Sequence, residues 1–135
     1  MAIEGPPPLP TVHHVTLSVT DVERSALWYQ RLLGAASTIH RHGPSWERIR
    51  MQWASGLVIG VTHHEATGDA AFDCTVPGLD HLGLGCASAD EVRAWAARLA
   101  ELDIEHGPLE EVAYGWAVTA RDPDGIAIEF FCPAA

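Results

Sequence analysis

The feature that most constrains this chain is a duplication. His14, Leu17, Trp28 and Leu32 recur as His81, Leu84, Trp95 and Leu99, each 67 positions later. The segment Gly56-Leu-Val-Ile-Gly-Val recurs as Gly125-Ile-Ala-Ile-Glu-Phe, 69 positions later. A two-residue difference between the offsets is an ordinary loop change. A chain that repeats itself in this way builds two copies of one supersecondary unit that bury their apolar faces together.

Local patterning gives the content of the unit. His13–Val19 alternates, with Val15, Leu17 and Val19 on one face and His14, Thr16 and Ser18 on the other, as a half-buried strand requires. Asp21 is placed to cap a helix whose Val22, Ala26, Tyr29 and Leu33 share a face, and Gly34 ends it. Strands are expected over 36–42, 46–53 and 57–64. In the second copy, 80–86 is a strand, and Ser88 with Glu91 forms a capping box ahead of a helix that buries Val92, Trp95, Leu99 and Leu102. Strands over 115–121 and 126–132 flank Asp122-Pro-Asp-Gly125, a turn sequence, and a weaker strand pattern lies near 106–112. The reading is an α+β chain of two tandem βαβββ units (12–64 and 79–132) within one domain spanning 12–135. The units are expected to form a cup-shaped, barrel-like mixed sheet with helices outside. Residues 1–11, proline-rich over 5–10, form a lead-in arm.

Composition narrows the function classes. A length of 135 residues suits one domain with a real core. The formal net charge of −10 argues against nucleic acid or an anionic membrane as partner. No apolar run reaches the roughly 18 residues a membrane helix needs, and the N-terminus lacks a signal pattern, so the expected compartment is the cytoplasm. All eight basic residues are arginine, which removes Schiff-base catalysis by lysine. Cys74, Cys86 and Cys132 form no CxxC pair, so neither a disulfide framework nor a cysteine zinc site is expected.

Chemistry concentrates on the polar faces. His14 and His81 occupy matching positions on the first strand of each unit. Glu129 lies between Ile128 and Phe130 on the last strand, pointing away from the core with Ala127 and Phe131. A carboxylate among such neighbours is costly unless it is paired or metal-bound. Singly, each histidine is more simply a hydrogen-bonded or exposed side chain, and Glu129 a partner for Arg121. The repeat relationship favours a two-histidine, one-carboxylate facial triad that leaves coordination positions open.

Three segments carry a family resemblance. His14-Val-Thr-Leu-Ser-Val-Thr-Asp-Val-Glu-Arg-Ser-Ala-Leu-Trp-Tyr, Gly78-Leu-Asp-His81-Leu-Gly-Leu and Arg121-Asp-Pro-Asp-Gly-Ile-Ala-Ile-Glu129-Phe-Phe resemble the vicinal oxygen chelate superfamily. That group includes glyoxalase I, methylmalonyl-CoA epimerase, fosfomycin-resistance transferases, extradiol dioxygenases and bleomycin-binding proteins. The resemblance spans about residues 12–132. It implies a homodimer and one divalent metal ion (Fe, Mn, Zn, Ni or Co) held by His14, His81 and Glu129. Where glyoxalase I and the epimerase place a fourth ligand, this chain has Gly60, which puts strict glyoxalase I activity in doubt.

Other residues are candidates for the rest of the cup. Arg48, Arg50 and Gln52 alternate with apolar Ile49, Met51 and Trp53, and either recognise an anionic substrate group or blunt an exposed edge strand. His64 shares the parity of Gly60 and is either a base or a surface histidine. His40 and His42 share a face with the same ambiguity. Tyr114 is either a proton donor or a loop aromatic. The expected function is metal-dependent lyase, isomerase or epimerase chemistry on a small oxygen-rich metabolite, through a metal-bound enolate or oxyanion. The first alternative is an extradiol Fe(II) dioxygenase with His64 as base and Tyr114 as acid. The second is a non-catalytic drug-binding or resistance protein.

Overall fold

The computed structural model describes residues 4–135; the first three residues of the proline-rich arm lie outside them. The order of elements repeats. Strand β1 (Val15–Ser18) leads to helix α1 (Val22–Leu33), then β2 (Ser37–His42), β3 (Trp46–Gln52) and β4 (Val58–His64). After a short 3-10 turn at Glu65–Thr67 come β5 (Leu82–Gly85), α2 (Ala89–Glu101), β6 (Glu110–Val112), β7 (Gly115–Arg121) and β8 (Ala127–Pro133).

Each half closes its own four-stranded sheet, in the orders β1-β4-β3-β2 and β5-β8-β7-β6. In both, the first strand runs parallel to the last and the other pairings are antiparallel. The architecture is the expected pair of matched βαβββ units with helices outside; the two four-stranded sheets stay separate and do not close into one barrel. Registers repeat as well. Thr16 stands opposite Gly60 in the first sheet, and Gly83 stands opposite Glu129 in the second.

The helices start and stop where their chemistry dictates. Asp21 accepts a 3.0 Å hydrogen bond from the Arg24 amide, and Gly34 ends α1 at φ 94°, a conformation costly for any residue with a Cβ. Ser88 caps α2 by accepting from the Glu91 amide at 3.2 Å. The Glu91 carboxylate reaches back to the Ala87 amide at 2.7 Å, one residue earlier than the Ser88 amide a capping box predicts.

Two apolar clusters fill the interior. One joins Leu17, Val22, Tyr29, Met51 and Val61 to Ile126 and Ile128 of the second half. The other joins Val92, Leu99, Val118 and Phe130 to Leu32 of α1. The α1 stripe is thus shifted by one residue from the expected Leu33, which is only half-buried, to Leu32, which is fully buried. Trp95 and Leu102 are half-buried rather than buried, although Trp95 stacks on Phe130 at 4.5 Å. The helices also meet directly, since Arg98 donates to the carbonyls of Leu32 (2.7 Å) and Arg31 (3.0 Å). Each helix therefore covers the apolar face of its sheet and leaves the opposite face open. No helix among the described residues is long and apolar enough to cross a membrane.

Candidate metal centre and the open sheet faces

Strand alternation sorts the polar residues onto the open faces. On the second sheet, His81 immediately precedes β5, two residues before Gly83, and Gly83 is in register with Glu129, so His81 and Glu129 share a face. A Cβ placed on Gly83 would lie 3.9 Å from Glu129 Oε1, so the glutamate side chain extends across this glycine. Glu129 is half-buried beside Phe131, and none of the ion pairs among the described residues involves it; Arg121 instead lies by the Gly125 carbonyl. A half-buried carboxylate without a cation is one that gains from a bound metal.

The histidine rings are held by their Nδ1 atoms. His81 Nδ1 lies 2.6 Å from Asp80 Oδ1, and His14 Nδ1 lies 2.9 Å from His13 Nδ1. Anchoring a ring by one nitrogen while the other stays open is how metal-binding imidazoles are usually oriented. The donor set, two neutral nitrogens and one carboxylate oxygen, suits a divalent transition metal.

The first sheet supplies the other part. His14, Thr16 and Ser18 are exposed on one face of β1, in line with Val58, Gly60 and Thr62 of β4. Arg50 is opposite Gly60 and Arg48 opposite Thr62, so both arginines share the His14 face while Ile49 and Met51 are buried beneath α1. Arg48 Nε donates to Thr62 Oγ1 at 2.7 Å, and its guanidinium lies 4.9 Å from the Trp46 ring centre. Arg50 donates to the Gln52 side chain at 3.2 Å. Arg41 of β2 is directly opposite Arg48, adding a third cation to the row.

The remaining candidates separate. His64 sits exposed at the end of β4 opposite Trp46, on the same face as Gly60. Tyr114 is 71% exposed in the turn before β7, with its ring 6.2 Å from Phe131. His40 and His42 do share a face, but they stand opposite Ile49 and Glu47, on the helix side of the sheet and away from Arg48. Burial pushes the Cys86 thiol up from its usual range, as suits a packing residue and not a thiolate nucleophile. Asp80, Thr16 and Gly83 shape the open faces and were not singled out from the sequence. Asp80 adjoins a candidate ligand, and Gly83 follows His81 with the same parity, so both had a local signal.

Within one chain the triad does not assemble. Among the described residues, no three His, Cys, Asp or Glu side chains stand together as a metal-holding group. A cleft of about 230 Å³ lined by His14, Leu57, Leu82 and Gly83 joins the starts of β1 and β5, yet His81 and Glu129 do not line it.

Comparison with known proteins fixes the family. The model of the Glyoxalase/Bleomycin resistance protein/Dioxygenase superfamily matches residues 11–130. A glyoxylase/bleomycin resistance protein/dioxygenase domain from Frankia sp. EAN1pec is 32% identical, with a TM-score of 0.85, covering 93% of this chain and 99% of that one. The genomically encoded fosfomycin resistance protein FosX from Listeria monocytogenes is 21% identical, with a TM-score of 0.71 and coverages of 93% and 94%. A mutant of that FosX was solved with Mn(II) and 1S,2S-dihydroxypropylphosphonic acid. Lactoylglutathione lyase from Agrobacterium tumefaciens is 16% identical, with a TM-score of 0.68 and coverages of 93% and 96%. No curated protein gives a significant match. With the family model covering nearly the whole chain, this protein belongs to the glyoxalase/bleomycin resistance protein/dioxygenase superfamily.

Proposed function

We propose that this protein is a cytoplasmic, homodimeric, divalent-metal-dependent enzyme acting on a small oxygen-rich anion by lyase, isomerase or epimerase chemistry. The observation that carries the reading is the division of the candidate ligands. His81 and Glu129 share the open face of one sheet, His14 lies on the matching face of the other, and one chain does not bring the three together. Two copies related by a two-fold axis would complete two sites, each with His14 from one protomer and His81 and Glu129 from the other. The metal-bound FosX relative supports a divalent ion on this fold.

When bound, a divalent ion there supplies Lewis-acid polarisation of two adjacent substrate oxygens. The chain's own residues would do the rest. Asp80 holds the His81 ring in orientation, and Thr62 and Trp46 hold the Arg48 guanidinium toward the open face. None of the ion pairs among the described residues involves Arg41, Arg48 or Arg50, despite the chain's net charge of −10. Two aligned guanidinium groups with Gln52 beside them suit a carboxylate, phosphonate or phosphate. Tyr114 and His64 are the proton-transfer candidates, and His64 is the weaker of the two because it stands at the end of β4 remote from Val58, the residue in line with His14.

Complementation tests the arrangement. His14→Ala and His81→Ala proteins, each unable to hold metal, are unfolded together, refolded and assayed for bound metal. Shared sites predict that heterodimers regain one intact site, so roughly one site in four fills. No recovery, with dimers formed, would remove the two-chain site.

A further inference from the structure

We infer that the substrate carries a phosphate or phosphonate dianion at the end remote from its chelating oxygens, held by Arg41 and Arg48 on the open face of the first sheet. The inference rests on the proposed metal enzyme only for the chelating end; the anion subsite is built from residues of one chain. Arg41 of β2 pairs directly with Arg48 of β3, so two guanidinium groups leave neighbouring strands on the same face. Like charges directly opposite destabilise a sheet, and an anion between them reverses the sign.

The rest of the face is arranged to leave that charge unanswered. The chain holds 18 acidic residues against 8 basic ones, yet Glu47 is the acidic residue of β1 to β4, and it shares the parity of the buried Ile49 and Met51. It therefore projects from the other side of the sheet. Arg48 is held ready. Its Nε donates to Thr62 Oγ1 at 2.7 Å and its guanidinium lies 4.9 Å from the Trp46 ring centre. Among the described residues, no ion pair takes up its terminal nitrogens. A planar fork fixed in this way grips phosphate oxygens two at a time.

Register separates this subsite from the metal end. His14 is in line with Val58, Arg48 is opposite Thr62, and Trp46 is opposite His64. The Val58 and Thr62 rows are four residues apart on β4, about 13 Å along the strand. Contact with Trp46 turns the Arg48 guanidinium further from the His14 row. Arg50 leans the opposite way: it donates to Gln52 at 3.2 Å, and Gln52 pairs with Val58. The arginines thus divide, Arg50 toward the chelating end and Arg48 with Arg41 toward the far one. A substrate that engages both ends places a spacer of several bonds between its vicinal oxygens and its dianion. An anion on the carbon beside the chelated oxygens would meet Arg50 and fall short of Arg48.

Inorganic phosphate is the probe, titrated into chelator-treated full-length protein at low salt in mildly alkaline buffer, where the dianion predominates. Calorimetry should show one phosphate per chain. In proton–nitrogen spectra the Arg48 Nε–H and Trp46 Nε1–H signals should move, while the Val15 and Val58 amides stay in place. Arg41→Gln and Arg48→Gln should each weaken binding about tenfold, the loss of one charge-assisted contact. Arg41 is exposed, so its substitution keeps the test open if Arg48→Gln fails to fold. Acetate should bind more weakly than phosphate. No metal takes part, so failure here would leave the metal centre standing, and failure of the metal centre would leave these results standing. The subsite would be overturned by a lack of saturable phosphate binding or by binding indifferent to Arg41→Gln. Shifts centred on Val15 and Val58, or acetate bound as tightly as phosphate, would overturn it equally.

Discussion

The Tyr29 hydroxyl donates a 2.9 Å hydrogen bond to Asp122 Oδ2, joining the helix of the first unit to the turn between the last two strands of the second. Asp122 Oδ1 meanwhile accepts from the Asp124 and Ile126 amides at 2.8 and 2.9 Å, and Gly125 takes φ 84° to close the turn. A carboxylate only 5% exposed thus sets the direction in which β8 leaves the turn, and with it the aim of Glu129. Tyr29→Phe strips one donor from this buried acceptor and should cost about 1–3 kcal/mol. Urea unfolding of the two proteins measures it; a difference near zero would mean that water or another donor replaces the phenol.

The same pair predicts a pH dependence. Burial pushes the Asp122 carboxyl up from its usual range, against the opposing pull of its hydrogen bonds. Burial and the adjacent carboxylate push the Tyr29 phenol up, so it stays a neutral donor. A carboxyl whose folded value is raised binds its proton more tightly folded than unfolded. Its contribution to stability is therefore greatest in acid and falls as pH rises through the interval between the usual carboxylate value and the folded one. Asp122→Asn should flatten that part of the stability profile, with unfolding free energy followed across mildly acid pH. An unchanged slope would assign the pH dependence to other groups.

Asp80 offers a test of the metal centre that leaves every ligand in place. Its Oδ1 lies 2.6 Å from His81 Nδ1, but its side chain is 77% exposed, so its effect should be at the low end for such partners. Asp80→Ala is expected to weaken metal binding about tenfold while the metal-free protein unfolds at the same temperature. Competition against a chelator gives the affinity. Equal affinity in both proteins would leave the contact without a role in holding the ring.

Thr16 and Gly60 exchange the roles of Gly83 and Glu129. A Cβ on Gly60 would come within 3.0 Å of Thr16 Oγ1, whereas Gly83 leaves room for the glutamate that crosses it. Gly60→Glu alone must push Thr16 aside and should be destabilising by about 1–3 kcal/mol. Thr16→Gly with Gly60→Glu recreates on the first sheet the arrangement of the second. It should tighten metal binding and lower native turnover by filling a substrate position. If the double variant binds metal no more tightly than the parent, the Gly60 position does not face the ion.

The repeat offset, the caps at Asp21 and Ser88, and the parity of His14, Arg48, Arg50, His81 and Glu129 all depend on local spacing, and each is visible in the structure. Leu32 replaces Leu33 in the core because the second unit's sheet, not α1 alone, decides which side chain is enclosed. His40 could not be assigned to a face relative to Arg48 until the β2–β3 register paired it with Ile49. The separation of the two sheets is likewise a long-range property with no trace in local patterning.

The choice between reaction classes turns on His64, exposed at the end of β4 opposite Trp46. It lies about 20 Å along the strand from Val58, the residue in line with His14, a separation that disfavours it as a base at the metal. Extradiol ring cleavage needs a base close to the metal to take a catechol proton, and losing such a base costs on the order of 10²–10⁴ in rate. Lyase or isomerase chemistry could draw on a different base; His40 is a poor substitute, because it faces the helix side near Glu23, 3.9 Å away. His64→Ala should keep its metal in either case. With a substrate identified by screening catechols and small phosphonates, the parent is compared in air and without oxygen, and the variant under the condition that supports turnover. Undiminished anaerobic turnover is the expected result, in keeping with the lyase or isomerase reading, and it would eliminate the dioxygenase. Strict oxygen dependence, joined to a rate loss of that size in His64→Ala, would instead make the protein a ring-cleaving enzyme with His64 as its base.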